Sequence, residues 1–193
     1  MAQHYKMNVK NCKYAPVSTN NSTTYAIGTA VDLPALRTVD IAFTLATGEL
    51  YGDGELVSKR AKLTGAQLRL GIDKLPQAAR AAMLGHTIEA SKGIMDIKTT
   101  DTPIEIAVYL EIELDNGGYE AVWLLVGKAQ PVNITGNQSE TSINYTTDEL
   151  TIDFVRRELD KCVIKYADTD NEDFTTTLQT AFRTGPDVTT TTT

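Results

Sequence analysis

The sequence predicts a mainly β, single-domain protein with one α-helix. Three observations lead to this prediction: several segments show a two-residue hydrophobic period, turn-forming residues separate them, and one short stretch has a helical period. The chain has 193 residues, of which 41% are hydrophobic, so it can bury a substantial core. Because a β-rich chain of this size is usually one domain, we expect a single domain over residues 1–193.

Residues 1–23 are predicted to form a polar N-terminal arm. The segment Tyr14-Ala15-Pro16-Val17 reads as extended, and the Ser- and Asn-rich residues 18–22 offer little surface to bury. Such an arm needs a partner to become ordered. A β core is expected over 24–167, beginning with a weak strand at 24–31 and a turn around Pro34, which cannot occupy a central ladder position.

The first clear strand is predicted at 38–45. Val39, Ile41, Phe43 and Leu45 alternate with polar or small residues, so they are expected to face a core. Residues 47–62 are rich in glycine and charge, which indicates an exposed loop or the tip of an extended hairpin. Residues 66–72 alternate again and predict a second half-buried strand.

A helical period replaces the strand period at 73–85. Asp73 is a candidate N-cap, Pro76 falls in the first turn, and Gly85 can end the helix. Leu75, Ala79 and Met83 share one face. We therefore expect one helix over about 73–85.

Residues 104–126 predict a long hairpin. The even positions from Ile104 to Leu114 are apolar, and the odd positions between them carry an acidic set with Ala107 and Tyr109. This period puts the two sets on opposite faces, one in the core and one polar. A turn at 115–118 leads to the apolar run 121–126, which is expected to be covered on both faces. This pattern suggests a scaffold protein in which the polar face has a function.

The last part of the core is predicted to contain one or two strands at 143–154 and a final strand at 162–166. Beyond it, residues 168–193 form an acidic, Thr-rich C-terminal tail. Within this tail, Phe174, Leu178 and Phe182 have the spacing of a short amphipathic helix.

The sequence predicts no enzyme, no metal and no cofactor. His86 could be oriented by Asp73, but no serine lies in a nucleophile elbow. Asp168, Asp170 and Glu172 begin a calcium-loop pattern that fails because the sixth position is not glycine and the twelfth is not glutamate. No phosphate-binding glycine pattern is present. Cys12 and Cys162 are expected to be reduced thiols.

The net charge of −7 argues against a nucleic-acid binder, since binding to phosphates depends on Lys and Arg. Acidity does not exclude a protein past which DNA slides without sticking. No apolar run reaches the roughly 18 residues that span a bilayer, and no signal peptide is recognisable. We therefore expect a protein that is kept in a cytosol and is not inserted in a membrane.

Several short segments resemble the major tail protein family of long-tailed bacteriophages. In chain order they are 9–17, 33–35, 50–53, 71–75, 83–86 and 123–128. The resemblance covers roughly residues 9–166 and depends on the order and spacing of these matches. The tail from Asp168 onward departs from it.

The resemblance implies a tail-tube subunit with a β-sandwich or barrel-like domain and one helix. It implies a virion tail assembled in the host cytoplasm, with homo-oligomeric, hexameric rings stacked around a channel through which DNA passes without specific binding. Tape-measure, tail-terminator and tail-tip proteins are the implied partners. The arm and the 52–62 loop are expected to join subunits, through Tyr14, Pro16, Tyr51, Asp53, Glu55, Lys59 and Arg60. Two faces are candidates for the lumen lining, one with Asp40 and one with Glu105, Glu111 and Glu113.

Two other classes of protein remain as alternatives. The first is a non-enzymatic β-sandwich binding module of a virion, which would recognise a receptor or a carbohydrate. Such a module usually displays exposed aromatic residues, whereas Trp123 lies in a strand predicted to be buried and aromatics are 7% of the chain. The second is a hydrolase, which would require His86 to act.

Overall fold

The computed structural model describes residues 4–53, 55–136, 138 and 146–188. Strands make up 53% of the described residues and helices 10%, which confirms the mainly β fold. The strands are β1 (Lys6–Asn20), β2 (Tyr25–Ile27), β3 (Val31–Asp32), β4 (Leu36–Gly52), β5 (Glu55–Ile72), β6 (Thr87–Glu89), β7 (Ile94–Asp96), β8 (Ile106–Leu114), β9 (Tyr119–Ala129), β10 (Asp148–Val155) and β11 (Ile164–Asp168). The helices are α1 (Gln77–Leu84) and α2 (Thr176–Thr184). None of the helices in this described part is long and apolar enough to cross a membrane.

Nine of these strands form one antiparallel sheet. Its main path runs β2-β1-β8-β9-β10-β5-β4, while β3 pairs with β1 and β11 pairs with β9. One edge of β9 serves two strands, because β10 pairs with its end at 126–129 and β11 with its beginning at 120–124. Over the described residues no ladder joins β2 to β4, so the sheet is open and not a closed barrel.

The sheet folds over a main hydrophobic core. Leu68 and Leu70 of β5, Val108 of β8 and Leu124 of β9 are fully buried there, and Met83 of α1 covers one side. β1 and β4 lie near opposite ends of the sheet order, yet their Cα atoms approach within 8 Å, so the two halves of the sheet face each other as in a sandwich. A second core lies on the outer face of β8 and β9, under α2.

Residues 6–20 are a strand of the sheet, so the prediction of a free arm over 1–23 is wrong for this part. β1 pairs with β8 along most of its length, with Val9 opposite Ile112 and Tyr14 opposite Val108. An exposed β8 edge would leave its N–H and C=O groups unpaired, and β1 satisfies them within the same chain. Residues 1–3 lie outside the described residues.

β4 and β5 form one hairpin that is much longer than the two predicted strands. Their pairing runs from Leu36 opposite Ile72 to Gly52 opposite Glu55. Of the two structures expected for residues 47–62, the extended hairpin is therefore correct and the exposed loop is wrong. β10 supports β5 only as far as Gly65. Beyond this point the hairpin continues as a two-stranded ribbon.

The first helix begins later than predicted. Pro76 occupies the N-cap position without a side-chain hydrogen bond, whereas Asp73 pairs with Arg37 of β4 and is not a cap. Gly85 does end the helix, with a φ of 73° and its N–H donating to the carbonyl of Ala81. α2 forms where the Phe174, Leu178, Phe182 spacing predicted an amphipathic helix.

β10 accounts for the second half of the predicted 143–154 segment, and β11 for the predicted last strand. Residues 143–145 of that prediction lie outside the described residues.

The C-terminal part is anchored by Arg157, whose side chain is 2% exposed. Its guanidinium donates to Asp160 and Asp187 at 2.7 Å and lies 4.9 Å from the centre of the Tyr25 ring. Arg157 holds the pKa of Asp160 well below its usual range.

Candidate assembly surface

The β4–β5 hairpin carries an uncovered apolar face around the point where β10 ceases to support it. Phe43 and Leu45 on β4 and Leu63 on β5 are 55%, 55% and 43% exposed. Leu45 and Leu63 are cross-strand partners, and Phe43 lies opposite Ala66 of the core face, so all three continue the core side of the sheet. The sequence predicted Phe43 and Leu45 in the core. They are exposed because the hairpin runs past the end of the core.

A cluster of polar side chains stabilises the register between β4 and β5 farther along the same face. Lys59 lies 2.8 Å from Glu49, its cross-strand partner, and Tyr51 donates to the other Glu49 oxygen at 2.8 Å. The hydrogen bond from Lys59 lowers the pKa of Glu49. Because an isolated hairpin is marginal in water, these contacts help to hold an otherwise unsupported ribbon in one register.

The predicted interface residues divide into two groups. Those on the hairpin, namely Tyr51, Asp53, Glu55, Lys59 and Arg60, are all exposed. Tyr14 is 4% exposed and lies in the main core, so its assignment to a subunit contact is corrected. Pro16 is half-buried within β1 and its backbone carbonyl accepts from Gly28.

The acidic face predicted on 104–114 is largely covered. Glu111 is 3% exposed and accepts hydrogen bonds from Tyr109 and Asn11, each at 2.6 Å. Arg183 of α2 pairs with it at 2.5 Å, and α2 also covers Tyr109 and Trp123. Glu111 is therefore a buried anchor for the C-terminal helix and does not line a free surface.

Glu105 and Glu113 are half-buried beside the covered region. Lys128 lies 3.8 Å from Glu105, and Lys10 pairs with Glu113. Two signals in the sequence pointed to a cover on this face. Ala107 and Tyr109 are not typical of a solvated position, and the spaced phenylalanines after 173 supply an apolar helix face that needs a surface to pack on.

The face with Asp40 is exposed. Asp40 lies opposite Arg69 on β5, and Arg69 donates to Gln67 at 2.9 Å. Gln67 in turn donates to Asp153 of β10 at 2.8 Å, and Gln130, directly after β9, donates to the other oxygen of Asp153 at 2.6 Å. Together with Asp40, these side chains form a polar strip across β4, β5 and β10 that ends at Gln130, on the side of the sheet opposite the main core.

The residues that sequence reasoning considered for chemistry have structural partners. His86 lies 2.7 Å from Asp101 and not beside Asp73. Burial raises the pKa of the Cys12 thiol to about 12, and Cys12 and Cys162 are both free thiols. Within 4–53, 55–136, 138 and 146–188, no cluster of three or more His, Cys, Asp or Glu residues could hold a metal ion.

Comparisons with known proteins include a weak structural likeness. No family model matches the chain, and no curated protein sequence matches it. Among solved structures, the tube-terminating cap of the anti-feeding prophage, determined by cryo-EM, is similar with a TM-score of 0.47 and 11% identity. The match covers 88% of this chain and 95% of that chain.

Proposed function

We propose that this chain is a structural protein of a phage-type tail, and that copies of it polymerise as stacked rings to form the tail tube. The observation that carries the proposal is the uncovered apolar face of the β4–β5 hairpin. A soluble monomer rarely leaves such a face exposed on a ribbon that nothing supports. Contact with further copies of the chain would cover it, and the segments that resemble major tail proteins include the hairpin residues 50–53.

The proposed role is structural and not enzymatic. The implied location is the virion tail, with assembly in the host cytoplasm, and the implied partners are the tape-measure, tail-terminator and tail-tip proteins. Purified protein should form rings or tubes as its concentration rises, which sedimentation velocity and negative-stain microscopy would show. A protein that stays monomeric at every concentration, also with tail-tip components present, would contradict the proposal.

Leu45→Asp tests the hairpin face directly. Burying a leucine contributes about 1.5–3 kcal/mol, so losing it at each contact should raise the critical concentration for assembly roughly 10- to 100-fold. The monomer should remain folded because Leu45 is 55% exposed. Ile97→Asp is a matched control, since Ile97 is 59% exposed but lies outside the hairpin. Equal assembly of both variants and the wild type would remove the hairpin face from the interface.

The polar strip with Asp40 is the better of the two candidate linings for a DNA channel, because Glu111 is covered by α2. Carboxylates repel DNA over about 8 Å at physiological salt, whereas an added cation would bind phosphates and release counterions. Asp40→Lys should therefore slow genome ejection, and more so at low than at high ionic strength. Exposed charges contribute less than about 1 kcal/mol, so folding should change little.

Asp32→Lys is the control for this experiment, because the Asp32 side chain is 79% exposed on β3 and the change in charge is the same. Ejection should be measured from tails that contain each variant, at several ionic strengths. If Asp40→Lys tails eject like Asp32→Lys tails throughout, Asp40 does not face the channel.

A further inference from the structure

The turn end of the β4–β5 hairpin combines apolar side chains with negative charge. We define the hairpin tip as Tyr51, Asp53, Glu55, Leu56 and Val57. Its apolar members are 62%, 50% and 64% exposed in the order Tyr51, Leu56, Val57. Asp53 and Glu55 are exposed, and within the described residues neither has a cationic nitrogen within 4 Å. The hairpin tip is therefore an exposed surface that is both acidic and apolar.

A groove at the base of the same hairpin has the opposite charge. It has a volume of about 580 Å³ and lies where β5 separates from β10, next to β11. Leu63, Val155 and Ile164 contribute apolar surface, and Val155 is 55% exposed. We call this the base groove; its lining residues are Lys62, Leu63, Thr64, Val155, Arg156, Lys161, Cys162, Val163 and Ile164.

Among the described residues that line the base groove, three are cationic and none carries a carboxylate. Lys62, Arg156 and Lys161 are all exposed. Lys161 is paired with Glu158, which offsets one of the three charges. Among the described residues, Lys62 and Arg156 have no carboxylate within 4 Å. A groove with an apolar wall and a cationic rim favours a partner segment that is both apolar and acidic.

The tip of the same chain cannot fill this groove. Glu55 and Leu63 are eight residues apart on one strand, which at roughly 3.3 Å per residue separates them by about 26 Å. The strand is held extended by its pairing with β4 over this whole length. An occupant with the chemistry of the tip must therefore come from another molecule.

We propose that the base groove receives the hairpin tip of a second copy of this chain. This proposal rests on the self-assembly proposed above and specifies how the copies meet. Tyr51, Leu56 and Val57 of one copy cover Leu63, Val155 and Ile164 of the next, while Asp53 and Glu55 face Lys62 and Arg156. Because the tip and the groove are different surfaces, the contact is head-to-tail and propagates from copy to copy.

Cys162 in the base groove provides a direct test. Leu56→Cys places an exposed thiol on the tip, while Cys162 is half-buried in the lining of the groove and Cys12 is 3% exposed. A short bis-maleimide added to assembled Leu56→Cys protein should give covalent dimers and higher ladders on a denaturing gel. The same protein with Cys162→Ser should give none, and neither should Ile94→Cys, whose residue is 53% exposed on β7. Ladders that persist without Cys162, or their absence from assembled Leu56→Cys protein, would overturn the proposal.

A charge exchange is a second test that needs no cysteine. Glu55→Arg and Arg156→Glu should each raise the critical concentration about tenfold, and the double variant should return to within about threefold of the wild type. Lys74→Glu, an exposed change elsewhere, is the matched control. Additive losses in the double variant would overturn the tip-to-groove contact. A wild type that never assembles would instead refute the proposed function, so the two failures are distinguishable.

Discussion

Arg183→Met is expected to lower the free energy of unfolding by about 3 kcal/mol, which for a chain of this size is roughly 6–12 °C in Tm. Arg183 is the cation that neutralises Glu111, whose side chain is only 4% exposed. Its removal leaves a buried carboxylate with neutral partners alone, the hydroxyl of Tyr109 and the amide of Asn11. Desolvation of that charge is then no longer offset.

The substitution should also loosen α2, which can be followed through the single tryptophan. Trp123 is fully buried, and its indole N–H donates to the carbonyl of Phe182 at 2.6 Å, next to Arg183. We expect a red shift of its fluorescence at temperatures below global unfolding. Arg37→Met is the control, because the Arg37–Asp73 pair is about half exposed and should contribute at most about 1 kcal/mol. Equal effects of the two substitutions would show that the contact between Arg183 and the buried Glu111 does not anchor the helix.

Gly85→Ala is expected to be the most destabilising single-methyl change, at about 3 kcal/mol or more. Gly85 has a φ of 73°, and a Cβ there would lie 2.4 Å from the carbonyl oxygen of Thr102. Since the obstacle is backbone, it cannot move aside as a side chain could. The segment from 102 to 104, which lies between β7 and β8, would have to shift.

Gly93→Ala separates the two causes of this loss. Gly93 has a φ of 66°, but a Cβ there meets nothing within 4 Å. Gly93→Ala should therefore lower the free energy of unfolding only through its left-handed backbone conformation, by about 1–2 kcal/mol. Chemical denaturation of both variants measures the difference. If Gly93→Ala is as unstable as Gly85→Ala, backbone conformation alone explains both losses.

Much of the local structure follows from the sequence. The turn at 115–118 and the alternation on either side of it correctly predicted the β8–β9 hairpin. Gly85 predicted the end of α1, and the spacing of Phe174 and Phe182 predicted α2. These features depend on neighbouring residues, so local periodicity and backbone preference are enough to specify them.

Long-range pairing could not be predicted in the same way. The sequence of residues 6–20 is polar and shows no clear strand pattern. These residues nevertheless pair with β8, because the edge of β8 needs a hydrogen-bonding partner. The ends of β4 and β5 carry few apolar residues, so their pairing depends on a cross-strand register and on the Glu49–Lys59 contact. The hydrophobic period of one strand does not show which other strand pairs with it, because the partner is a separate segment of the chain.

The candidate surfaces show the same division. By itself the sequence determined the mainly β class, the first helix, the lack of any recognisable catalytic pattern and the exposed charges of residues 53–60. Only the tertiary structure decided that Glu111 is covered by α2, that Phe43 and Leu45 lie beyond the core, and that Lys62 and Arg156 share one groove. The physical reason is that an alternating strand specifies two faces, whereas what covers each face depends on segments distant in the chain.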